Sequence, residues 1–338
     1  MERLCLVTGA TGFVGSHVAE RLSKQGYRVR TLVRASSDTR LIDALGFEKV
    51  LGDLGDAPAA ARAVAGVQLV VHCAAMVGDW GPVAAFRRVN VDGLRVLLDA
   101  ARTQSLERFI HTSSLGVYEA RDHFGTDESV APPTAHIDGY TQTKVESERL
   151  ALEYGRAGLP VTVLRPGLVY GPRDRTMMPR VLEAIRTGRF AYLGSGEQAM
   201  NSIYVENFVD ALMLALQKPQ SIGEVYNLTD MERVSKRRFI ETLARLTGYP
   251  APKRSIPLPV ARALATVLES VWRLLGRTEP PVLNQARVKF LGLNLDFSCE
   301  KARRELGYQP RWEFDKAMAT TVDWLRAEGM VPALAAPK

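Results

Sequence analysis

Short apolar runs alternate with longer amphipathic segments through the first half of the chain. The apolar runs that predict buried strands lie at 3–7, 28–33, 67–72, 108–112 and 161–165. The amphipathic segments that predict helices between them lie at 13–25, 58–65, 86–104 and 140–157. This alternation predicts an α/β fold of Rossmann type, with a doubly wound parallel sheet covered by helices on both faces.

The pattern changes after about residue 173, where prolines, helices and short strands mix. We therefore predict a dinucleotide-binding type of domain over 1–172, a smaller, partly interleaved C-terminal region over 173–330 that binds substrate, and a tail over 331–338. The segment 224–230, "EVYNLTD", predicts a strand that returns to the sheet of the first domain.

The stretch 258–277, "LPVARALATVLESVWRLLGR", predicts an amphipathic helix. Its apolar stripe consists of Val260, Ala263, Leu264, Val267, Leu268, Val271, Leu274 and Leu275. Arg262, Arg273 and Arg277 flank that stripe. The helix therefore either packs on the substrate region or acts as its lid, or it lies in a membrane interface. Packing is the favoured interpretation. No apolar run reaches the roughly 20 residues that span a bilayer.

Composition narrows the function classes. The 338 residues are 46% hydrophobic and carry 44 basic against 37 acidic side chains, a formal net charge of +7. The basic residues are spread along the chain, so nucleic-acid binding is not expected. Cys5, Cys73 and Cys299 are isolated, which predicts neither a metal site nor a disulfide and favours a reducing cytoplasm. The N-terminus enters a strand directly, so no signal peptide is expected.

The sequence "TGATGFVGSHV" (8–18) follows the first apolar run and places Gly9, Gly12 and Gly15 at intervals of three. Glycine at a strand-to-helix turn lets the backbone approach a pyrophosphate, and the helix that follows offers free N–H groups and its positive dipole end. The helix after the turn has the apolar face that such a unit needs. The segment therefore predicts a dinucleotide site.

Several further segments share this context: "GDLGD" (52–56), "VHCAA" (71–75), "VNVDG" (89–93), "HTSSLGVY" (111–118), "YTQTK" (140–144) and "LRPGLVYGPRD" (164–174). Together with the G-x-x-G-x-x-G spacing, the chain resembles the extended short-chain dehydrogenase/reductases, which belong to the NAD-dependent epimerase/dehydratase superfamily. Within them it looks most similar to the 3β-hydroxysteroid dehydrogenase and dihydroflavonol-reductase-like group. The resemblance covers nearly the whole chain.

The glycine loop and the resemblance together imply a set of cofactor contacts. In the family, Asp53 meets the adenine amino group, Asn90 braces the sheet and the segment after 164 wraps the nicotinamide. The predicted contacts are Gly9, Thr11, Gly12, Phe13, Val14, Gly15, Arg34, Asp53, Leu54, Cys73, Ala74, Ala75, Asn90, Ser113, Tyr140, Lys144, Pro166, Gly167 and Val169.

Tyr140 and Lys144 are four residues apart on a predicted helix, so both project from one face. An ammonium beside a phenol favours the phenolate, so we expect Lys144 to lower the pKa of Tyr140 and make it a general acid or base for an alcohol–ketone couple. The resemblance implies that Lys144 also holds the nicotinamide ribose and that Ser114, rather than its neighbour Ser113, hydrogen-bonds the reacting oxygen. The expected chemistry is hydride transfer. His72 and His111 end apolar strands and are predicted to be packed, hydrogen-bonded residues.

The end of the second strand bears on the choice of cofactor. An NAD site typically has an acidic residue there, which accepts from the ribose 2′-hydroxyl. This chain has Arg34, while Asp38 stands too far along. Arginine pairs with a 2′-phosphate, and Thr11 would add a hydroxyl. The sequence favours NADP and leaves NAD open.

Three functions remain open: an oxidoreductase acting on a hydroxyl, ketone or aldehyde of an apolar, steroid-like molecule; a nucleotide-sugar epimerase or dehydratase with retained NAD; and a non-catalytic dinucleotide-binding regulator. Nucleotide-sugar enzymes commonly carry arginine and an acid where "GSGEQAMNSIYV" (194–205) has Met200 and Asn201. The first function is therefore favoured. The side chains predicted to line its pocket are Met76, Trp80, Phe86, Met177 and Met178.

The resemblance also implies a homodimer. In the extended branch, the helix after Asn90 and the helix that carries Tyr140 often pack against their copies in a second subunit. Here these helices carry Val96, Leu97, Leu150 and Leu152, which could equally face the sheet.

Overall fold

The computed structural model describes residues 3–332, so most of the predicted tail lies outside the described residues. A seven-stranded parallel sheet forms its centre, in the order β3-β2-β1-β4-β5-β7-β12. Its strands are β1 (Leu4–Thr8), β2 (Arg28–Val33), β3 (Glu48–Leu51), β4 (Leu69–His72), β5 (Arg108–Thr112), β7 (Val161–Pro166) and β12 (Val225–Leu228). The α/β fold of Rossmann type is thus confirmed, and the strand predicted at 224–230 joins the sheet edge beside β7.

Helices cover both faces of the sheet. They are α1 (Phe13–Lys24), α2 (Arg40–Ala44), α3 (Ala57–Val64), α4 (Val83–Arg87), α5 (Gly93–Ala101), α6 (Gly139–Arg156) and α8 (Val205–Gln217). One apolar core joins the sheet to α1 and α8 through residues such as Val18 and Leu212. A second core joins the other face to α3, α5 and α6, and it contains Leu97 and Leu150. Leu152 is partly buried against the same core, so three of the four apolar residues considered for a dimer face the sheet.

The strand order of the sheet indicates where a ligand would bind. The chain leaves β1 toward β2 on one side, whereas β4 pairs with β1 on the other. Open parallel sheets bind ligands at this reversal, outside the carboxyl ends of the strands. The glycine loop and the loop after β4 therefore meet there.

The prediction of one helix over 86–104 is wrong in detail. Between α4 and α5 the chain forms a π-helical turn, Arg88–Asp92, which contains Asn90. Gly93 follows, and a Cβ there would lie 2.9 Å from the Cβ of Leu54. The start of α5 thus lies close to the loop that follows β3. The amphipathic pattern of 86–104 is regular and does not predict this interruption.

The C-terminal region has its own aromatic core, in which Tyr170, Phe239 and Phe314 pack together. Its elements are β6 (His123–Thr126), β8 (Leu168–Tyr170), α7 (Met177–Arg186), β9 (Tyr192–Leu193), β10 (Ala199–Met200), β11 (Ser202–Tyr204), β13 (Val234–Ser235), α9 (Lys236–Thr247), β14 (Ser255–Ile256), α10 (Leu258–Leu274), α11 (Gln285–Gly292), β15 (Leu295–Phe297) and α12 (Phe314–Ala327). Its strands β6 and β8 come from earlier in the chain than the return strand β12, so the two regions interleave.

Helix α10 is where predicted, but it packs through an unexpected side. Ala261 and Ala265 are fully buried against Leu193 and Val288. The adjacent side, which we call the α10 outer face, consists of Val260, Leu264, Val267, Val271 and Leu274 and is exposed. The favoured prediction that the apolar stripe packs on the substrate region is therefore wrong for this face. Over the described residues, no helix combines the length and apolar character that crossing a bilayer requires.

Candidate active site at the carboxyl edge of the sheet

The glycine loop connects β1 to α1 in a form that only glycine permits. Gly9 has a φ of +73°, and a Cβ there would lie 2.8 Å from the backbone nitrogen of Ala74. A Cβ on Gly15 would lie 2.3 Å from the carbonyl oxygen of Gly9. Gly12 begins the helix, and the first helical hydrogen bond runs from Ser16 N to Gly12 O at 3.1 Å.

The start of α1 is therefore ready to bind an anion. The amides of Phe13, Val14 and Gly15 precede that first helical hydrogen bond, and the first turn carries no acidic side chain. Free N–H groups and the positive end of the helix dipole together favour a pyrophosphate. Gly12 and Thr11 are exposed at the turn itself.

The ends of β2 and β3 flank this loop. Arg34 is exposed, and its backbone N–H donates to Ser37 Oγ at 3.2 Å. Within residues 3–332 its guanidinium has no ion pair, whereas Asp38 pairs with Arg40 at 2.6 Å. After β3, Asp53 is exposed, and Leu54 is buried in the core. Arg34 is thus an open cation at this edge.

Asn90 fixes the loop after β4. Its Oδ1 accepts from Met76 N at 2.7 Å, and its Nδ2 donates to Met76 O and to Thr143 Oγ1, both at 3.0 Å. Asn90 therefore holds this loop against α6. The expectation was that it would brace the sheet. In the same loop Ala74 N donates to Thr8 Oγ1 at 3.4 Å, and Cys73 Sγ lies 3.5 Å from Thr112 Oγ1. Ala75 is half-buried between them.

Tyr140 and Lys144 lie on the first turns of α6, which Asp138 caps through a 2.8 Å bond from Thr141 N. Tyr140 is half-buried, and its interaction with the Ser114 hydroxyl acts to lower its pKa. Lys144 is 5% exposed, and its Nζ donates to Thr112 O at 2.6 Å. The structure therefore brings Ser114, Tyr140 and Lys144 together at the ends of β5 and α6.

The electrostatics of this triad differ from the sequence expectation. Burial raises the pKa of Tyr140 to about 12, against the opposing effect of the Ser114 hydrogen bond. Burial also lowers the pKa of Lys144 to about 8. The prediction of a lowered pKa for Tyr140 is wrong for the free protein, because burial, together with the charge of Asp138, outweighs the groups that favour the phenolate. Tyr140 is accordingly protonated at neutral pH and ready to donate a proton.

Behind the triad lies a buried ionic network that sequence reasoning missed. Ser113 Oγ donates to Glu148 Oε2 at 2.6 Å, and Arg165 Nε donates to the same oxygen at 3.0 Å. Arg165 also donates to the hydroxyl of Tyr118 at 2.7 Å. The side chain of Ser113 thus points to Glu148 and not toward a cofactor, contrary to its predicted role. The sequence feature that could have predicted this network is the spacing of Glu148, which lies one helical turn after Lys144. Its charge partly offsets the lowering of the Lys144 pKa by burial.

His72 and His111 stack beneath the triad, with ring centroids 5.6 Å apart. His72 Nδ1 lies 2.8 Å from Thr8 Oγ1, as a hydrogen-bonded core histidine would. His111 has no hydrogen-bond partner for either ring nitrogen among the residues described, so the prediction of a hydrogen-bonded residue is wrong there. Burial, with the nearby charge of Lys144, lowers the pKa of both rings, that of His72 to about 3. Both are therefore neutral.

The segment after β7 closes the other side of the edge. Pro166 is buried and Val169 half-buried. A Cβ on Gly167 would lie 1.7 Å from the carbonyl oxygen of Asn201, so only glycine fits there. Leu168 N donates to that same oxygen at 2.7 Å. This approach fixes the segment predicted to wrap the nicotinamide.

The predicted pocket residues divide into two groups. Met76 is 37% exposed, and Trp80 and Met177 are half-buried. Phe86 and Met178 are fully buried, Phe86 beneath the Trp80 loop and the start of α6, Met178 in the aromatic core of the C-terminal region. The latter two support the site from the interior and offer no open surface, contrary to expectation.

The residues present fit a nicotinamide dinucleotide. Side chains on Gly9 or Gly15 would fill the backbone cradle, and the open amides of α1 are placed to receive an anion. Ser114 follows β5, two strands away from β1 along the same edge of the sheet. Within 3–332, no cluster of three or more His, Cys, Asp or Glu side chains could hold a metal ion.

Comparisons with known proteins agree with this geometry. A family model described as "NAD dependent epimerase/dehydratase family" matches residues 5–229. The 4-hydroxy-2-methyl-3-oxo-4-farnesyl-3,4-dihydroquinoline-1-oxide ketoreductase of Stigmatella aurantiaca is 34% identical over 307 residues, covering 90% of this chain and 91% of its own. The 3beta-hydroxysteroid-dehydrogenase/decarboxylase isoform 1 of Arabidopsis thaliana is 31% identical over 348 residues, covering 95% and 79%. The crystal structure of gox2253 superposes with a TM-score of 0.83 at 31% identity and covers 98% of this chain and 100% of that one.

Proposed function

The chain belongs to the NAD dependent epimerase/dehydratase family, in its extended short-chain dehydrogenase/reductase branch, and we propose that it is an NADP(H)-dependent oxidoreductase that interconverts a ketone and an alcohol on an apolar molecule. The observation that carries the proposal is the contact of Tyr140 with Ser114 beside the buried Lys144. A hydroxyl pair of this kind is what a carbonyl oxygen needs when it becomes an alcohol oxygen.

In the direction of reduction, the dinucleotide supplies a hydride to the carbonyl carbon when bound. Tyr140 donates its proton to the oxygen, for which its raised pKa keeps it protonated. Ser114 hydrogen-bonds the same oxygen and holds it in line. Lys144 would hold the nicotinamide ribose, and its ammonium favours the phenolate that remains on Tyr140 after the proton has left.

Arg34 supports NADP over NAD. It is exposed at the end of β2 and unpaired among the described residues, so a 2′-phosphate would gain a charge-assisted contact there. The Rossmann sites that prefer NAD place an acid at this strand end, and Asp38 is instead engaged by Arg40 at 2.6 Å.

The proposal of an apolar substrate is supported by the residue that stands where nucleotide-sugar enzymes bind the diphosphate. Met200 is 8% exposed and lies in the aromatic core, where nucleotide-sugar enzymes commonly carry arginine. A sugar diphosphate would lose water there without gaining a cation, at a cost of several kcal/mol. Relatives named for a farnesylated ketone and for a hydroxysteroid point to the same substrate class.

The proposal is tested by NADPH consumption against ketones and β-keto acids of increasing chain length, with UDP- and GDP-sugars alongside. A buried methylene contributes about 0.8 kcal/mol, so kcat/KM should rise about fourfold for each one until the pocket is full. Epimerisation or dehydration of a nucleotide sugar, with retained NAD, would contradict the proposal and establish the alternative. Cofactor binding without turnover of any compound would favour the regulator.

A further inference from the structure

The α10 outer face is a continuous apolar surface. Val260, Leu264, Val267, Val271 and Leu274 are 55%, 43%, 58%, 40% and 87% exposed. Their spacing of three or four residues places them in one stripe along the helix. Leu275 and Val282 extend the stripe beyond the helix end at 59% and 86% exposure. Apolar residues scattered singly on a surface need no explanation, whereas a contiguous patch of this kind marks a surface that meets an apolar partner.

The charges around this face identify the partner. Lys253, Arg254, Arg262, Arg273 and Arg277 are all exposed around α10. The acidic side chain of α10, Glu269, pairs with Arg273 at 2.9 Å. An apolar stripe bordered by cations is the arrangement of a helix that lies in the interface of an anionic bilayer. Each such cation near the surface adds to the attraction to anionic lipid.

A second copy of this chain fits the same face less well. Two copies related by a two-fold axis would present the same surface to each other. The basic border of one copy would then meet the basic border of the other, and like charges oppose such a contact. Anionic lipid headgroups have the complementary charge.

The face is joined directly to the loop that borders the site. Trp80 Nε1 donates to Arg277 O at 3.1 Å, and the Arg273 guanidinium lies 5.7 Å from the centre of the Trp80 ring. Asp79, in the same loop, bonds Arg287 at 2.5 Å. That loop continues from Met76, which Asn90 fixes next to α6. The end of α10 is therefore packed against the loop from Met76 to Trp80, which Asn90 in turn holds against α6.

We propose that the α10 outer face rests on an anionic lipid bilayer and that the apolar substrate reaches the site from that bilayer past the Trp80 loop. The first part stands on the exposure and charge of the helix alone. The second part rests on the proposed function, since it requires an apolar substrate.

The test uses the full chain in flotation with vesicles of phosphatidylcholine alone or mixed equally with phosphatidylglycerol. We expect the protein to float with the mixed vesicles at low salt and to stay behind with phosphatidylcholine alone, with less binding as salt rises. The double variant Val267→Ser, Leu274→Ser should lose at least about tenfold in binding to the mixed vesicles, since it removes two of the largest exposed apolar contacts. The matched control is Phe124→Ser, which removes a 76% exposed aromatic residue elsewhere and should bind as the unmodified protein does.

Two measurements separate this proposal from the proposed function. Reduction of a short, water-soluble ketone should be equal in the double variant and the unmodified protein, which also shows that the variant is folded. Reduction of a long-chain ketone embedded in the mixed vesicles should fall in the double variant. Failure of the unmodified protein to bind mixed vesicles, or a dimer in solution that the double variant converts to monomer without any vesicle binding, overturns the membrane proposal. Vesicle binding without turnover of any ketone would leave the membrane contact standing and reject the proposed function.

Discussion

Replacing Lys144 by methionine should make the protein more stable and nearly inactive. The side chain is 5% exposed, and burial lowers its pKa from 10.5 to about 8. At about 1.4 kcal/mol for each pH unit, holding the ammonium in the folded protein costs about 3 kcal/mol at neutral pH. The bond from Nζ to Thr112 O returns about 1 kcal/mol. Lys144→Met should therefore gain about 2 kcal/mol of stability while preserving the side-chain volume.

The pH dependence has a definite sign. The folded-state pKa lies below the unfolded one, so the unfolded chain binds more protons between the two values. The penalty is therefore complete below about pH 8 and disappears as the pH rises to 10.5. Unfolding midpoints should be about 2–5 °C higher for Lys144→Met at neutral pH, and this gap should close in alkaline solution.

Turnover is assayed beside stability. Lys144→Met should lose activity about 100-fold or more, comparable with the loss of a catalytic acid or base. The matched control is Lys236→Met, which removes another buried lysine. Burial lowers the pKa of Lys236 to about 7, and its Nζ donates to the carbonyl of Ala199, away from the triad. The control should keep its turnover. A Lys144→Met protein that is less stable than the unmodified chain by the same amount at every pH would refute this reasoning.

Three further variants test separate parts of the site. Tyr140→Phe should stay folded, bind NADPH and lose about 10²–10⁴-fold in turnover, as loss of a general acid does; near-normal turnover would reject its assigned role. Arg34→Asp should move the NADPH-to-NADH preference at least tenfold, since a charge-assisted pair contributes about 1.5–3 kcal/mol, and an unmodified chain that already prefers NADH would contradict the assignment. Glu148→Gln removes a carboxylate that raises the pKa of Lys144, so the alkaline limb of the rate profile should move to lower pH; an unmoved limb would show that Glu148 serves structure alone.

Six of the seven strands of the sheet were predictable because each is a short, largely buried run followed by a turn signal. The edge strand β3, Glu48–Leu51, is mostly exposed and was not among the predicted apolar runs. The glycine loop was predictable because close backbone approaches, such as that of Gly9 to Ala74, require glycine at fixed spacing. The positions of Tyr140 and Lys144 followed from helical geometry alone. These features depend on local sequence, which is why they could be read from it.

Other features depend on contacts between distant segments. The raised pKa of Tyr140 is set by burial, which the interaction with Ser114 opposes, and neither effect is a property of the helix. Helical periodicity identified α10 as amphipathic, but which side is covered depends on the fit of Ala261 and Ala265 against their neighbours. In the same way, the sequence cannot distinguish an apolar residue such as Met178 that fills a core from one that lines a pocket.

The central claim is that this chain moves a hydride between a nicotinamide dinucleotide and a carbinol carbon, with Tyr140 supplying the proton. It is tested most directly by incubating the protein with NADPH deuterated at C4 of the nicotinamide and a long-chain aliphatic ketone, and by mass analysis of the alcohol. The account predicts an alcohol that carries one deuterium on the carbinol carbon, formed by the unmodified protein and nearly absent with Tyr140→Phe. An alcohol without deuterium, or no alcohol but an epimerised UDP-sugar in a parallel incubation, would contradict it.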